Sequence, residues 1–358
     1  MKYLIKMTPL EPYTFGGKKG LYYPGVVKEA ESTYYVQSEE TPQQTTVFGA
    51  LRYLVLSHTP FFHSDFNYTD EEREKIADAI GKSSFSFDSI EKQDFGSIKG
   101  ISPLFLIHSK KNEEEEILVP TPAFLIKERD ENGNETGAAH CMKIGQETIR
   151  TSSGNLCLPE NGEYNCKEGY AGGFYGLKTH KIYENLIDSV VNTGIRKNGD
   201  EDAFFKMEEK ILAKNYSFAV IAEADSLPER SIIYMGLRRS AFIMECIKDC
   251  KINLESEVKK AFADVKGIWF YALSDLYTVI PERFDTFCIV KEKYAKNLQT
   301  QYNSKKHRNE KLKRSEEQYA LIGSGSCFYM KKPTLIQNKN GEDSSSVIGY
   351  NKLIEIGE

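Results

Sequence analysis

The stretch from Thr41 to Leu56, T-P-Q-Q-T-T-V-F-G-A-L-R-Y-L-V-L, limits the possible folds of this chain more than any other. Val47, Ala50, Leu51, Leu54 and Val55 recur at i, i+3, i+4, i+7 and i+8, the stripe of a helix with one buried face. Thr45 or Thr46 can cap it, because a hydroxyl there accepts an N–H that the first turn leaves unpaired. Gly49 stands one turn in, where alanine would stiffen the helix by about 1 kcal/mol, so something is expected to approach the backbone there. Arg52 falls off the apolar stripe beside Phe48 and Gly49. It is either a solvated side chain on a core helix or one that faces a ligand or partner.

Around this helix the pattern alternates. Lys2 to Leu10 predicts a strand, ended by Pro9 and Pro12. Glu11 to Glu40 has no helical period; glycines, tyrosines, Lys18 and Lys19 predict a long loop, and loops of that length are usually functional or disordered. Thr69 with Glu72 fits a capping box and Gly81 supplies the stop of a second helix. Strands are expected at Ile101–His108 and Ile117–Lys127, then an aperiodic, glycine-rich insertion at Gly133–Lys181. Ile182–Val190 has helical phase, and the basic turn after it leads into an amphipathic helix ending near Leu212. Tyr216–Ala224, Ser231–Gly236 and Ser240–Ile247 predict strands, Leu254–Val265 a helix, and Gly267–Leu273, Thr286–Val290, Tyr319–Met330 and Val347–Ile356 strands. Strand, helix, strand, strand, helix, strand runs once through Ala224, and a shorter version follows. The expected fold class is therefore α+β: two ferredoxin-like (RRM-like) domains with long loop insertions. The first would cover 1–226, with the insertion 133–181, and the second 227–358.

A formal charge of −5 argues against a uniformly basic nucleic-acid coat. It leaves room for a local cationic surface, since only charge within about 10 Å of a phosphate acts strongly at ordinary salt. Lys6 interrupts the short apolar run at the N-terminus, so no signal peptide is read there, and nothing approaches the roughly 18 apolar residues of a membrane span. Seven irregularly spaced cysteines suit reduced thiols, and the expected location is cytoplasmic.

Three glycine turns, two of them bearing arginines, could carry chemistry. In Gly194-Ile195-Arg196-Lys197-Asn198-Gly199, two glycines let the backbone approach a ligand and two cations lie between them. Gly236-Leu237-Arg238-Arg239 offers two guanidiniums able to bind phosphate bidentately. Gly323-Ser324-Gly325-Ser326 precedes Cys327, Phe328 and Tyr329. Lys291–Arg314 holds nine Lys or Arg against two Glu, with Tyr294 and Tyr302 interleaved. That run is either a solvated face or a stacking surface for single-stranded RNA. Gly199-Asp200-Glu201-Asp202 echoes a two-magnesium carboxylate pair, but the capping of a following helix accounts for it better. His140, Cys141, Cys157 and Cys166 lack the paired spacing of a zinc site, so no metal or other cofactor is expected.

Pro9, Leu10, Pro12 and Phe15 on the first strand, then Pro42, Thr45 and Gly49-Ala50-Leu51-Arg52, resemble the opening of a RAMP-superfamily CRISPR protein, with Gln43 where a second proline is common. The likeness is to the third subunits of the Cmr complex, the type III-B effector. Gly194-Ile195-Arg196 resembles their glycine-isoleucine-basic motif. Gly236-Leu237-Arg238-Arg239 is similar to their Gly-Gly-x-x-Arg loop, with Leu237 for the second glycine, and Gly323-Ser324-Gly325 to their glycine-serine-aromatic strand.

The resemblance implies a non-catalytic subunit holding the 5′ repeat-derived tag of the guide RNA. It would dock the large polymerase-cyclase subunit and contact a neighbouring backbone subunit, with no membrane partner. RNA contact is expected at Lys18, Lys19, Thr45, Arg52, Gly194, Ile195, Arg196, Lys197, Arg238, Arg239, Gly323, Ser324 and Gly325, with Arg52, Arg196 and Arg238 sharing one groove. The competing implication is a metal-independent, guide-processing endoribonuclease, using His58 or His180 as general acid or base.

Overall fold

The computed structural model describes the chain except residues 23–32, 66, 83, 88, 90–91, 111–113, 133, 153, 161–171, 199–200, 280–287, 296–297, 300–312, 315–318, 331, 336–343 and 358. At 17–22, 33–34, 137, 146, 195–198, 201–205, 279, 295, 298–299 and 313–314 it describes the backbone alone.

Strand β1 (Lys2–Pro9) is followed by β2 (Phe15–Tyr22) and β3 (Thr33–Glu39), then by helices α1 (Gln44–Ser57) and α2 (Asp70–Ile80). Next come β4 (Ile98–Ile101), β5 (Phe105–His108) and β6 (Glu116–Pro120). Two hairpins, β7 (Leu125–Arg129) with β8 (Glu135–Cys141) and β9 (Ile144–Thr151) with β10 (Gly154–Pro159), precede the short β11 (Phe174–Gly176) and β12 (Ile182–Tyr183). The long pair β13 (Ile187–Asn198) and β14 (Glu201–Leu212) leads into β15 (Tyr216–Ala224), β16 (Arg230–Met235), β17 (Ser240–Lys248) and α3 (Leu254–Ala261). The C-terminal part holds β18 (Trp269–Ala272), β19 (Thr278–Val279), β20 (Cys288–Ile289), β21 (Glu292–Ala295), β22 (Leu298–Gln299), β23 (Lys313–Arg314), β24 (Tyr319–Ile322), β25 (Cys327–Tyr329), β26 (Thr334–Leu335), α4 (Ser344–Val347) and β27 (Leu353–Ile356). The chain is thus α+β with strand predominating.

The largest sheet runs β12-β11-β6-β5-β15-β1-β17-β16, with β4 also paired to β15. β1 is central and buried on both faces. Its odd-numbered residues Tyr3, Ile5 and Met7 join Phe218, Val220, Phe242 and Met244 beneath Val47, Phe48, Leu51 and Leu54 of α1. Leu4, on the other face, joins Ala219, Ile221 and Phe105 against Leu254 and Val258 of α3 and against Trp269 and Tyr271 of β18. The period-two alternation of a strand therefore divides one sheet between two cores. A second sheet runs β20-β25-β18-β27, all antiparallel. Because β16 and β17 pair on the β1 side of the first sheet, the division expected between 226 and 227 falls between two strands of one sheet.

α2 begins and ends as predicted, with a Thr69–Glu72 capping box and Gly81 at φ +82°. α1 departs at its start: its N-cap is Gln43, which makes no side-chain cap bond, so neither Thr45 nor Thr46 caps it. The loop expected at 11–40 contains β2 and β3. The helices expected at 182–190 and up to 212 are strands β12, β13 and β14. β-branched residues crowd β13 (Ile187, Val190, Val191, Thr193, Ile195), and Gly199-Asp200, the pair between Asn198 and Glu201, is a glycine-first hairpin signal. The carboxylates after Gly199 therefore cap no helix. The insertion at 133–181 is also partly core, since it buries Met142, Phe174, Tyr175 and Leu177.

Candidate nucleic-acid interface

The long β13–β14 ladder pairs twelve residues of each strand, from Ile187↔Leu212 to Asn198↔Glu201, a ribbon about 40 Å long at the usual rise per residue. β14 then pairs in parallel with β3, and β3 antiparallel with β2. The resulting four-stranded sheet gathers residues distant in sequence onto shared lines. Gly194, Phe205, Tyr34 and Leu21 form one line, and Asn192, Met207, Val36 and Lys19 the next on the same face, two residues along. Lys18 falls where the β2 register shifts between Gly16 and Lys19. Ile195, Arg196 and Lys197 stand opposite Phe204, Ala203 and Asp202. The expected turn at 194–198 is therefore a strand, and its cations come from register, not from a loop. Phe204 and Phe205 went unrecognised as members of this surface because they were read into a helix.

At the foot of the ribbon, three successive ionisable side chains are nearly buried. Lys210 Nζ donates to Glu208 Oε1 and to Ser189 Oγ, both at 2.8 Å, and the Ser38 N–H donates to Glu208 Oε2 at 3.0 Å. Burial alone would raise the Glu208 carboxyl, but bonds from Lys210, Ser38 and Ser189 with the Lys210 charge hold it below the ordinary range. Glu209 accepts from Asn192 Nδ2 and from Arg238 Nη1.

Arg238 arrives from the β16–β17 turn, which is docked on β2. The Leu237 N–H donates to Thr14 O at 2.9 Å, and a Cβ on Gly236 (φ +84°) would meet that oxygen at 2.4 Å. Arg239 lies over the Tyr234 ring at 5.7 Å. The foot thus brings Arg238 to the same small sheet that carries Lys18, Lys19 and residues 194–197.

The remaining expected contacts lie elsewhere. Arg52 Nε donates to Ile80 O at 2.8 Å and its Nη2 to Gly81 O at 3.3 Å, beneath the last turn of α2. Burial lowers its pKa. Two of its donors are thus spent on the end of the next helix, and only the remaining ones could serve the groove expected with Arg196 and Arg238. Arg52→Ala is expected to cost about 1–3 kcal/mol of stability, the usual worth of charge-assisted bonds to buried carbonyls, with the loss read by chemical denaturation.

Thr45 stands half-buried in the first turn of α1, next to Gln44, whose amide donates to Ser102 O and Gly349 O. Gly323, Ser324 and Gly325 form a tight internal turn. The Gly325 N–H donates to Ala272 O, Gly325 O accepts from Ala123 N, and the Ser324 N–H donates to Asp275 Oδ1.

His58 caps α1, its Nδ1 2.9 Å from Leu54 O, and His180 Nδ1 lies 3.0 Å from Tyr175 OH. Of the basic run, Lys291 and Lys293 are drawn inside against Thr121 O and Asp275, and much of the rest (296–297 and 300–312) lies outside the described residues. Among the described residues no three His, Cys, Asp or Glu gather to hold a metal, and no helix is long and apolar enough to cross a membrane. Cys166 lies outside them.

A family model described as CRISPR-associated protein (Cas_Cmr3) matches residues 5–266, which include most of β1, α1, the ribbon and the β16–β17 turn. The chain belongs to the Cmr3 family of CRISPR-associated proteins. No curated protein sequence matches it. Among solved structures it is similar to a chain in the cryo-EM structure of the type III-B Cmr-beta bound to cognate target RNA and AMPPnP. That similarity has 14% identity and a TM-score of 0.45, and it covers 100% of this chain and 99% of the other. In this Cmr3-family chain, Gly194-Ile195-Arg196 stands on a strand of the ribbon and Arg238 at the ribbon's foot.

Proposed function

We propose that this Cmr3 protein is a non-catalytic, RNA-binding subunit of a cytoplasmic type III-B effector that holds the 5′ tag of the guide RNA on its four-stranded sheet. The observation that carries this is the register that sets Lys19 and Arg196 on one face of the sheet with Tyr34 and Phe205, while Lys197 and Phe204 stand on its other face and Lys18 at the register shift of β2. Cations interleaved with aromatic rings suit a single strand, because phosphates meet charge while splayed bases stack. Arg238 and Arg239 extend the surface at its foot. The net charge of −5 is compatible with this, since the surface is local. Thr45, Arg52, Gly323, Ser324 and Gly325 serve the fold in this reading, their groups being engaged internally or remote from the sheet. The large polymerase-cyclase subunit and a neighbouring backbone subunit are the protein partners.

The architecture we propose is two ferredoxin-like units. In chain order, β1, β5, β15 and β17 lie as 4-1-3-2 across the first sheet, every neighbour antiparallel. β18, β20, β25 and β27 lie as 4-1-3-2 across the second. This is the order of the split βαβ fold. In the first unit, β16 takes the place of the second crossover helix, and the division falls after Lys248.

Arg196→Ala with Lys197→Ala tests the RNA reading. Titration of a labelled single-stranded RNA should show weaker binding, and the plot of log Kobs against log salt should flatten by about 0.7 to 1.4, at about 0.7 for each cation that meets a phosphate of a single strand. An unchanged slope removes the ribbon from the interface. Incubation with repeat RNA in EDTA should give no site-specific cuts; cuts abolished by His58→Ala would replace this reading with the endoribonuclease one.

A further inference from the structure

Glu209 is a carboxylate whose side chain is only 10% exposed, on a strand where Glu208 and Lys210 already neutralise one another. Successive side chains of β14 alternate, so Glu209 faces away from that pair. There its two oxygens accept one bond each, from Asn192 on β13 and from Arg238 on the β16–β17 turn. The Arg238 side chain stays 47% exposed. Its guanidinium has five N–H donors; one edge is seated on Glu209 and the rest opens outward.

The turn beneath Arg238 is built firmly. Gly236 and Arg239 both have positive φ, +84° and +56°, the Arg239 N–H donates to Gly236 O, and the Leu237 N–H holds Thr14 O. Backbone and side chain are thus both fixed before any ligand arrives. A seated arginine has little rotamer freedom left to lose on binding, whereas a free one must give it up.

We propose that Glu209 is a positioning residue for RNA: it holds the Arg238 guanidinium by one edge so that the other edge meets a phosphate beside the ribbon. The idea rests on the RNA-binding reading above. Glu209 acts in two opposed ways, orienting the cation while cancelling much of its charge at long range. Affinity and salt dependence should therefore respond differently to its removal.

Glu209→Gln keeps the shape and one acceptor oxygen but restores a full positive charge at the foot. Glu209→Ala restores the charge and empties the seat. The full chain is titrated with a labelled single-stranded RNA across a range of salt. Glu209→Gln should steepen the slope of log Kobs against log salt by about 0.7, and Arg238→Ala should flatten it by about 0.7. Glu209→Ala should share the steeper slope yet bind about fivefold more weakly than Glu209→Gln, the cost of immobilising one loose side chain.

Thermal unfolding of each variant accompanies the titrations, and if Glu209→Ala does not fold, the Glu209→Gln slope decides. A slope unchanged by Glu209→Gln, or equal affinities for the Gln and Ala variants, overturns the proposal. If Arg196→Ala with Lys197→Ala also leaves the slope unchanged, the RNA reading falls with it. If that pair flattens the slope while the Glu209 variants do nothing, only the positioning role is lost.

Discussion

Asp275→Ala is expected to destabilise the folded chain by about 3–5 kcal/mol, because it leaves a buried ammonium without its counterion. Asp275 is 7% exposed. Its Oδ2 lies 3.0 Å from Lys293 Nζ, with the lysine side chain 17% exposed, and its Oδ1 accepts from the Ser324 N–H at 2.9 Å. Burial alone would lower the Lys293 pKa, but the fields of Asp275 and Glu39 and the bond the ammonium donates to Asp275 outweigh it, and the net shift is upward. The folded state therefore relies on the carboxylate to keep that amine charged. Asp275→Asn should retain the bond to Ser324 and lose the charge, so its cost should lie between those of wild type and Asp275→Ala. Replacing both partners, Asp275→Leu with Lys293→Met, should recover most of the loss, since a buried pair is often worth no more than apolar side chains of like volume. Denaturant midpoints with unchanged m-values check the order. A loss below about 1 kcal/mol for Asp275→Ala would mean that water reaches the pair, which then behaves as a surface ion pair.

The turn that Asp275 anchors shows where sequence and structure part. The motif Gly323-Ser324-Gly325 was legible as a glycine turn, and its geometry is that of one, with Gly325 at φ +88°. What it touches was not legible. Gly325 packs on Lys291 Nζ and on Thr121 O, about two hundred residues upstream, and nothing in local pattern reports such a contact. α1 and α2 were readable because their signals lie within a few residues: an apolar stripe for one, a capping box for the other. β15, β16 and β17 alternated plainly. The ribbon failed because Ile182, Leu186, Ile187 and Val190 fit a helical phase by chance, while Val190 and Val191 are in fact exposed. A helix needs a face buried along that phase, and none exists here. The Gly199-Asp200 pair was the better clue, and Lys206, Glu208 and Lys210 alternate as strand residues do. Register across four strands, which sets Lys19 on a line with Asn192, has no one-dimensional signature.

Lys291→Met is expected to stabilise the chain at neutral pH and to lose that gain as pH rises towards 10.5. Lys291 stands two residues from Lys293 but has the opposite electrostatics. Its Nζ donates to Thr121 O at 3.3 Å, and burial pushes its pKa down from the ordinary 10.5 to about 8; the fields of Cys327 and Glu40 recover only part of that shift. Below pH 8 the amine is charged in both folded and unfolded chains, so the whole burial penalty opposes folding. Between pH 8 and 10.5 the unfolded chain binds the proton more tightly, and stability rises with pH by up to about 1.4 kcal/mol per pH unit, reaching up to about 3 kcal/mol in all. The Cys327 thiol and the Tyr350 hydroxyl, both pushed up to about 12, lose their protons first in the unfolded chain and lower stability above their ordinary values in both proteins alike, so only the difference between the two proteins reads Lys291. Methionine fills a similar space without charge, at the loss of one bond worth about 1 kcal/mol. The variant should therefore gain about 2 kcal/mol at pH 7, with the two stability curves converging as pH rises. Denaturant unfolding of both proteins from pH 7 to 10.5 measures this, and the difference between them cancels titrations elsewhere in the chain. Parallel curves, or a variant weaker at pH 7, would mean that the amine keeps its hydration in the folded state. The two lysines of β21 and its approach would then no longer form a contrasting pair, one held charged by a carboxylate and one carried at a cost.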